Sequence, residues 1–379
     1  MDQSYFKYPW GLKMIETKKW ERLFGFRLRN PNEPLEQHHC DLALSIQTVL
    51  DEIVINMAKE AKRITGAEHL CIAGGVGLNC VSNGKLIEAG CFERVFFQPA
   101  AGDAGAALGA ALAGEYIYFK KSRATNGIRD EMKGTYLGPD FSHKEVVLMN
   151  RRVKAHSRSI EDIDELLEVV SGYIAEGKVV GWFQGRMEFG PRALGNRSIL
   201  ADPRKRDMQK KLNLKIKGRE GFRPFAPAVL QEDKDEYFEL NSASPTMSVV
   251  TKVAAAHLEA IPDNFQSLRM SEKLYLIRSD IQAVTHVDGS ARVQTVDRAT
   301  NRLFYDLIFA FKKKTGCGVL VNTSFNVRGE PIVCTPYDAY RCFMCTDMDY
   351  LVINEFVYCK IEQPNWEDKE AWLINFEQD

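Results

Sequence analysis

The sequence predicts an α/β protein in two domains, on three observations. The chain has 379 residues, more than one ordinary domain holds. Helical and extended patterns alternate through its first 120 residues, with glycine-rich loops between them. Five apolar runs of strand length, separated by amphipathic helices, then occupy the rest.

The elements follow in order. Residues 1 to about 34 are aromatic and charged, and are closed by Pro31 and Pro34. Asp41 to Thr65 predicts a long amphipathic helix, because Leu42, Ile46, Val49, Leu50, Ile53, Met57 and Ala61 recur at helical spacing. His69–Ala73 reads as a strand running into Gly74-Gly-Val-Gly-Leu-Asn79. A short helix from Asn83 to Glu88, a strand Arg94–Gln98, a turn Pro99–Gly105 and a small-residue helix Ala106–Tyr118 complete a nucleotide-binding type of lobe. Residues 121–135, with Asn126 and Gly127, make the best linker. Beyond it come a helix Ile160–Glu176, a strand Val179–Phe183, a glycine-and-arginine loop Gln184–Arg197 and a basic helix Arg204–Leu214. Strands at Ala226–Leu230, Met247–Val253, Arg292–Val296 and Gly318–Asn322 alternate with helices Asn301–Lys314 and Tyr337–Thr346. The alternation favours a sheet covered on one face by helices.

Composition narrows the function. The chain is 45% hydrophobic and 27% charged, with a formal net charge of −1. That balance speaks against a dedicated nucleic-acid binder, which needs bulk attraction to phosphate. No apolar stretch reaches the roughly 20 residues of a membrane span. The first residues lack a charged segment followed by an apolar run, so no secretory leader is expected. The nine cysteines show no zinc spacing, and Cys342-Phe-Met-Cys345 reads as core. A cytoplasmic protein with reduced thiols is expected.

Four segments of the second domain carry the chemistry. Lys217-Gly-Arg-Glu-Gly-Phe-Arg-Pro-Phe-Ala-Pro227 gathers Lys217, Arg219 and Arg223 on a stretch stiffened by proline. Arg186, Arg192 and Arg197 flank Phe189-Gly-Pro191. His286-Val-Asp-Gly-Ser-Ala-Arg292 brings a histidine and an arginine around a turn. Val321-Asn-Thr-Ser-Phe-Asn326 ends a strand in amides and hydroxyls, where α/β folds place ligand contacts. Together they predict a cationic pocket for a polyanion, with neutral donors to orient it. In the first domain Gly74 and Gly75 allow close backbone approach to a ligand. Asp103, in a turn after a strand, can face a metal or a ribose, or cap a helix. His38 and His39 read as exposed residues near a helix start.

At these residues the chain resembles the C-terminal part of NodU/CmcH-type O-carbamoyltransferases. The motifs that carry the resemblance are Ala73-Gly-Gly-Val-Gly-Leu-Asn-Cys80, Gln98-Pro-Ala-Ala-Gly-Asp-Ala-Gly105, Phe189-Gly-Pro-Arg-Ala-Leu-Gly195, Phe222-Arg-Pro-Phe-Ala-Pro227, His286-Val-Asp-Gly and Asn322-Thr-Ser-Phe-Asn326. The resemblance implies a partial actin-like (ASKHA) lobe over residues 1–120, a linker over 121–135, and a YrdC-like mixed α/β domain over 136–379. It implies that Lys217, Arg223, Arg192 and Ser324 are catalytic, and that Arg219, Arg292, Asn322, Asn326 and His286 bind ATP and carbamoyl phosphate. Lys217 with Arg219 resembles one half of the YrdC signature, and Ser324 with Asn326 the other. Gly74, Gly75 and Asn79 would bind nucleotide at a transferase site, and Asp103 would bind metal there.

The implied reaction makes carbamoyl-adenylate from carbamoyl phosphate and ATP with Mg2+, then passes the carbamoyl group to a hydroxyl of a small-molecule acceptor in biosynthesis. A divalent metal, with iron a candidate, would serve the transferase site. The family's chain is longer at the N-terminus, where it carries an H-x-x-x-H metal pair. None of the seven histidines here forms that pair, and Asp103 alone matches a family metal ligand. A homo-oligomer or a partner chain supplying the other lobe is therefore expected. Two further readings stand beside this one: a threonylcarbamoyl-adenylate synthase of tRNA modification, and a non-catalytic nucleotide-binding subunit.

Overall fold

The computed structural model describes residues 2–30, 33–124 and 130–366. Asn126 and Gly127, the centre of the expected linker, lie outside the described residues. The chain forms two compact units, one up to Ile46 and one from Gln47 onward.

In the first unit, the helix Thr17–Phe24 places Trp20 against Tyr5, Phe6 and Phe24, and Trp20 Nε1 donates to the Tyr5 carbonyl at 2.8 Å. His38 and His39 head the helix Gln37–Thr65. They are half-buried rather than exposed, with ring centroids 3.9 Å apart, and His39 Nδ1 accepts from the Glu36 amide at 2.9 Å.

The second unit begins with two parallel strands, β1 (His69–Ile72) and β2 (Arg94–Phe97), connected through the helix Cys80–Glu88. Nine further strands form one mixed sheet. In chain order they are β3 (Arg158–Ser159), β4 (Val180–Phe183), β5 (Arg197–Ala201), β6 (Ala226–Leu230), β7 (Val249–Lys252), β8 (Ser290–Val296), β9 (Val319–Ser324), β10 (Tyr350–Ile353) and β11 (Phe356–Cys359). Their order across the sheet is β3-β11-β10-β4-β5-β9-β6-β8-β7. The β4/β10 and β6/β8 pairs are parallel and the others antiparallel. The chain is thus mixed α/β, as its alternating pattern predicts.

The covering differs from the sequence expectation. β4, β5 and β6 are buried at every position, so the centre of the sheet is covered on both faces rather than one. The helices Ile163–Ala175 and Arg302–Thr315 pack on each other, and the helix Pro336–Cys345 packs on β4 and β10. Elements that escape the sequence pattern include β3, β5, the β10–β11 hairpin, and the helix His143–Val153 with its Ser142/Glu145 capping box.

The small layer locks onto the large sheet through the helix Cys80–Glu88. Asn83 Nδ2 donates to the Gly77 and Ser248 carbonyls, both at 2.9 Å. A Cβ on Gly84 would stand 2.1 Å from the Val250 carbonyl oxygen, so only glycine lets this helix lie on β7.

Candidate functional site

A cleft of about 530 Å3 opens over the ends of β6, β8 and β9. β8 presents Arg292 and β9 presents Asn322, Thr323 and Ser324. The segment before β6 brings Arg219, Arg223 and Phe225, and the loop after β4 brings Arg192. Cys80 and Val81, at the start of the helix docked on β7, close the wall.

Each arginine is held differently. Arg192 donates to the Leu78 carbonyl at 3.2 Å. Arg219 donates through Nε to Asn213 Oδ1 at 2.8 Å and lies 5.1 Å over the Phe225 ring. Arg223 is exposed and pairs with Glu220 at 3.1 Å. Burial and then repulsion by Arg292 push the Arg192 pKa down to about 10. Burial, then Arg223 and Arg292, do the same to Arg219. The guanidiniums thus face one another across the cleft without enough carboxylate to neutralise them, which suits a polyanionic ligand. His286 also lines the cleft; its Nδ1 pairs with Ser290 Oγ at 2.9 Å. Burial carries its pKa down to about 4, so it is neutral at pH 7.

Lys217 sits elsewhere than the sequence suggests. The resemblance implies a catalytic lysine there, but the side chain is buried behind the cleft, at the end of the π-helical turn Leu212–Lys217. Its Nζ donates to the Ser324 carbonyl, to Ser324 Oγ at 3.2 Å, to the Asn326 carbonyl at 2.9 Å and to Asn326 Oδ1 at 2.8 Å. Four oxygens around one nitrogen suit the ammonium form. Burial and Arg219 oppose it, drawing the pKa toward about 7. The two pairs 217/219 and 324/326, about a hundred positions apart, therefore meet in space. Asn326 completes the latch, with Oδ1 accepting from Ser324 Oγ at 2.7 Å and Nδ2 donating to the Glu330 carbonyl at 2.6 Å.

Of the three arginines flanking Phe189-Gly-Pro191, the cleft receives Arg192 alone. Arg197 is fully buried, lies 3.6 Å over the Phe183 ring, and donates to the carbonyls of Pro139, Gln184, Gly185 and Asn196. Arg186 donates to the Leu137 carbonyl. The loop itself winds around buried Glu188, whose Oε1 accepts from the amides of Leu194, Asn196 and Arg197. Glu188 and Gln294 carry no charge-cluster signal in the sequence, and both act as hidden supports. Cys80 ends the motif Ala73–Cys80 and Val81 follows it, but nothing in their side chains announces a cleft wall.

The candidates at Gly74, Gly75, Asn79 and Asp103 stand apart from the residues that line the cleft. Asn79 caps the helix Cys80–Glu88, accepting from Val81 and Ser82, and its Nδ2 donates to Gln47 at 3.0 Å. Gly74 donates its amide to the Ala101 carbonyl at 2.8 Å, while open space surrounds the points where Gly74 and Gly75 would carry a Cβ. Asp103 is exposed at the start of the helix Ala104–Ala113 and makes no side-chain cap bond. The one cluster of metal-ligand type among the described residues is exposed Glu68, His69 and Glu93, and Asp103 is not part of it. The described residues do not assemble a metal site around Asp103.

Residues 171–360 match the model for the carbamoyltransferase C-terminus, and residues 1–112 the model for the carbamoyltransferase N-terminus. The chain belongs to the carbamoyltransferase family. The whole chain is 49% identical to an uncharacterised protein of Synechocystis, covering 62% of that protein. It is 40% identical to the nodulation protein NolO of Bradyrhizobium diazoefficiens, over 89% of this chain and 58% of NolO. It is 31% identical to the 3'-hydroxymethylcephem-O-carbamoyltransferase of Streptomyces clavuligerus, over 87% of this chain and 56% of that enzyme. The chain thus spans about three-fifths of the length of these relatives. No helix among the described residues is long and apolar enough to cross a membrane.

Proposed function

We propose that the cleft forms carbamoyl-adenylate from carbamoyl phosphate and ATP, in a YrdC-like domain attached to part of an actin-like lobe. The observation that carries this reading is the convergence of Arg192, Arg219, Arg223 and Arg292 on one cleft, with the Ser324–Asn326 segment clamped beside them by Lys217. Two polyanions can share such a cleft only where cations offset their mutual repulsion. Water first takes the phosphoryl group of carbamoyl phosphate, leaving carbamate and phosphate. A carbamate oxygen then bonds to the α-phosphorus of Mg2+-bound ATP, and the bond to the β-phosphate oxygen breaks to release pyrophosphate. The arginines align the phosphates and neutralise charge without moving protons. Neutral His286 and Ser324 supply hydrogen-bonding groups at the rim.

The carbamoyl group would next pass to a hydroxyl of a small acceptor at a second site, with the loop at Gly74, Gly75 and Asn79 toward the nucleotide. Asp103 alone does not provide for a metal there, so transfer is proposed to need a further lobe, from a partner chain or a longer protein. Relatives that include a cephem O-carbamoyltransferase support this type of reaction.

The test is exchange of labelled pyrophosphate into ATP. Exchange that requires carbamoyl phosphate supports the proposal. Exchange that instead requires threonine and bicarbonate would identify a threonylcarbamoyl-adenylate synthase. Tight ATP binding with no exchange under either condition would leave a nucleotide-binding subunit.

A further inference from the structure

Asn322 lies on β9 at the floor of the cleft, and its side chain is fully buried. Its Nδ2 donates to the Ala193 carbonyl at 3.2 Å and to Gln294 Oε1 at 2.7 Å. Gln294 Nε2 in turn donates to the Leu194 carbonyl at 2.9 Å. Backbone carbonyls can only accept, so they fix both amides: Gln294 must turn its NH2 to Leu194, and Asn322 must turn its NH2 to Ala193 and Gln294. Asn322 Oδ1 is then left as a buried acceptor without a hydrogen-bond partner. The guanidiniums that line the cleft could donate to this oxygen, but none of them does. Phosphate oxygens, which only accept, cannot satisfy it, so a ligand that brings an N–H or O–H would complete it.

We propose that Asn322 Oδ1 accepts a hydrogen bond from the carbamoyl amino group, and so selects carbamoyl phosphate over acyl phosphates of the same shape. The inference rests on the carbamoyl-phosphate reading above and assigns the specificity contact within it. Carbamoyl and acetyl phosphate differ in one group, NH2 against CH3, and that group is what a lone acceptor distinguishes. The adenine amino group offers the same chemistry. A one-carbon group is favoured because Asn322 sits between Leu200 on β5 and Ala226 on β6, at the sheet floor, and two residues from Ser324 on the same face of β9. Gln294, which does not line the cleft, acts as a positioning residue by holding the Asn322 amide against rotation.

The experiment compares carbamoyl phosphate and acetyl phosphate by calorimetric titration, for the wild type and for Asn322→Leu combined with Gln294→Leu, which removes both buried partners together. The wild type should bind carbamoyl phosphate about 10- to 100-fold more tightly, the size expected when a buried polar atom is left unpaired. The double variant should lose that preference while its affinity for inorganic phosphate changes less than about threefold, because the arginines remain. Equal binding of the two acyl phosphates by the wild type, or a preference retained in the folded variant, overturns the proposal. So does a variant that loses discrimination of ATP from ITP while keeping the acyl preference, since that would give Asn322 to the base. If the double variant does not fold, the wild-type comparison decides. Wild-type exchange that ignores carbamoyl phosphate would refute the functional reading, and the titration would still judge the role of Asn322.

Discussion

Replacing Lys217 by alanine tests the latch behind the cleft. The change removes a nitrogen shared by four oxygens. Ser324 Oγ and Asn326 Oδ1 keep each other at 2.7 Å, and the Ser324 carbonyl keeps the Asn326 amide at 3.1 Å, so the Asn326 carbonyl bears the main loss. An acceptor left wanting costs about 1–3 kcal/mol. The vacated stem, about three methylenes, costs roughly 2 kcal/mol more. Relief from burying a charge works the other way, and it is the cause that draws the Lys217 pKa toward about 7. The net loss should be about 2–4 kcal/mol, which lowers the melting temperature by about 3–6 °C in a unit of this size. Differential scanning calorimetry reads the shift, and pyrophosphate exchange reads KM for carbamoyl phosphate, which should rise as the Ser324–Asn326 segment loosens. A melting temperature within about a degree of wild type would refute the latch. Unchanged melting with abolished exchange would instead make Lys217 a substrate contact.

Three further outcomes are expected. Arg219→Gln should weaken binding of inorganic phosphate about 10-fold or more in a titration, while the empty protein melts slightly higher, because Arg223 and Arg292 no longer repel a third guanidinium. Gly84→Ala should cost about 1–3 kcal/mol or more in denaturant unfolding, since its Cβ meets the Val250 carbonyl oxygen at 2.1 Å; wild-type stability would show that the helix does not rest on β7. His286, with its pKa lowered from 6.5 to about 4, should make stability fall as pH drops from 6.5 toward 4, where the unfolded chain binds the proton and the folded one does not. The loss is on the order of 3 kcal/mol when complete, and His286→Asn should flatten that part of the stability–pH curve.

The cationic segments were legible because charge, glycine and proline cluster visibly in the sequence. What each cation does there was not. Arg192 and Arg197 are five positions apart in one loop, yet one lines the cleft and the other is spent on four carbonyls. That difference depends on where Pro139 and Gln184 come to lie, which no local pattern encodes. The same holds for Lys217, whose oxygens come from a strand a hundred residues away. β5 was hidden because Arg197 and Ser198 open it with polar side chains that find their partners only in the folded protein. The β10–β11 hairpin turns at Asn354 with φ 51° and no glycine, so the usual turn signal is weak. The long strands and helices, whose apolar period is set locally, followed the pattern within a few residues.

The seam at Gly84 has an evolutionary corollary. Because the same short helix that rests on β7 also carries Cys80 and Val81 to the rim of the basin, recombination at a point downstream of that helix could not move the anion trap as a self-contained cassette. A descendant inheriting only the downstream half would receive a trough open along one side. Sequence drift on the two halves should therefore be tied together at this seam, even though most of the charge belongs to only one of them.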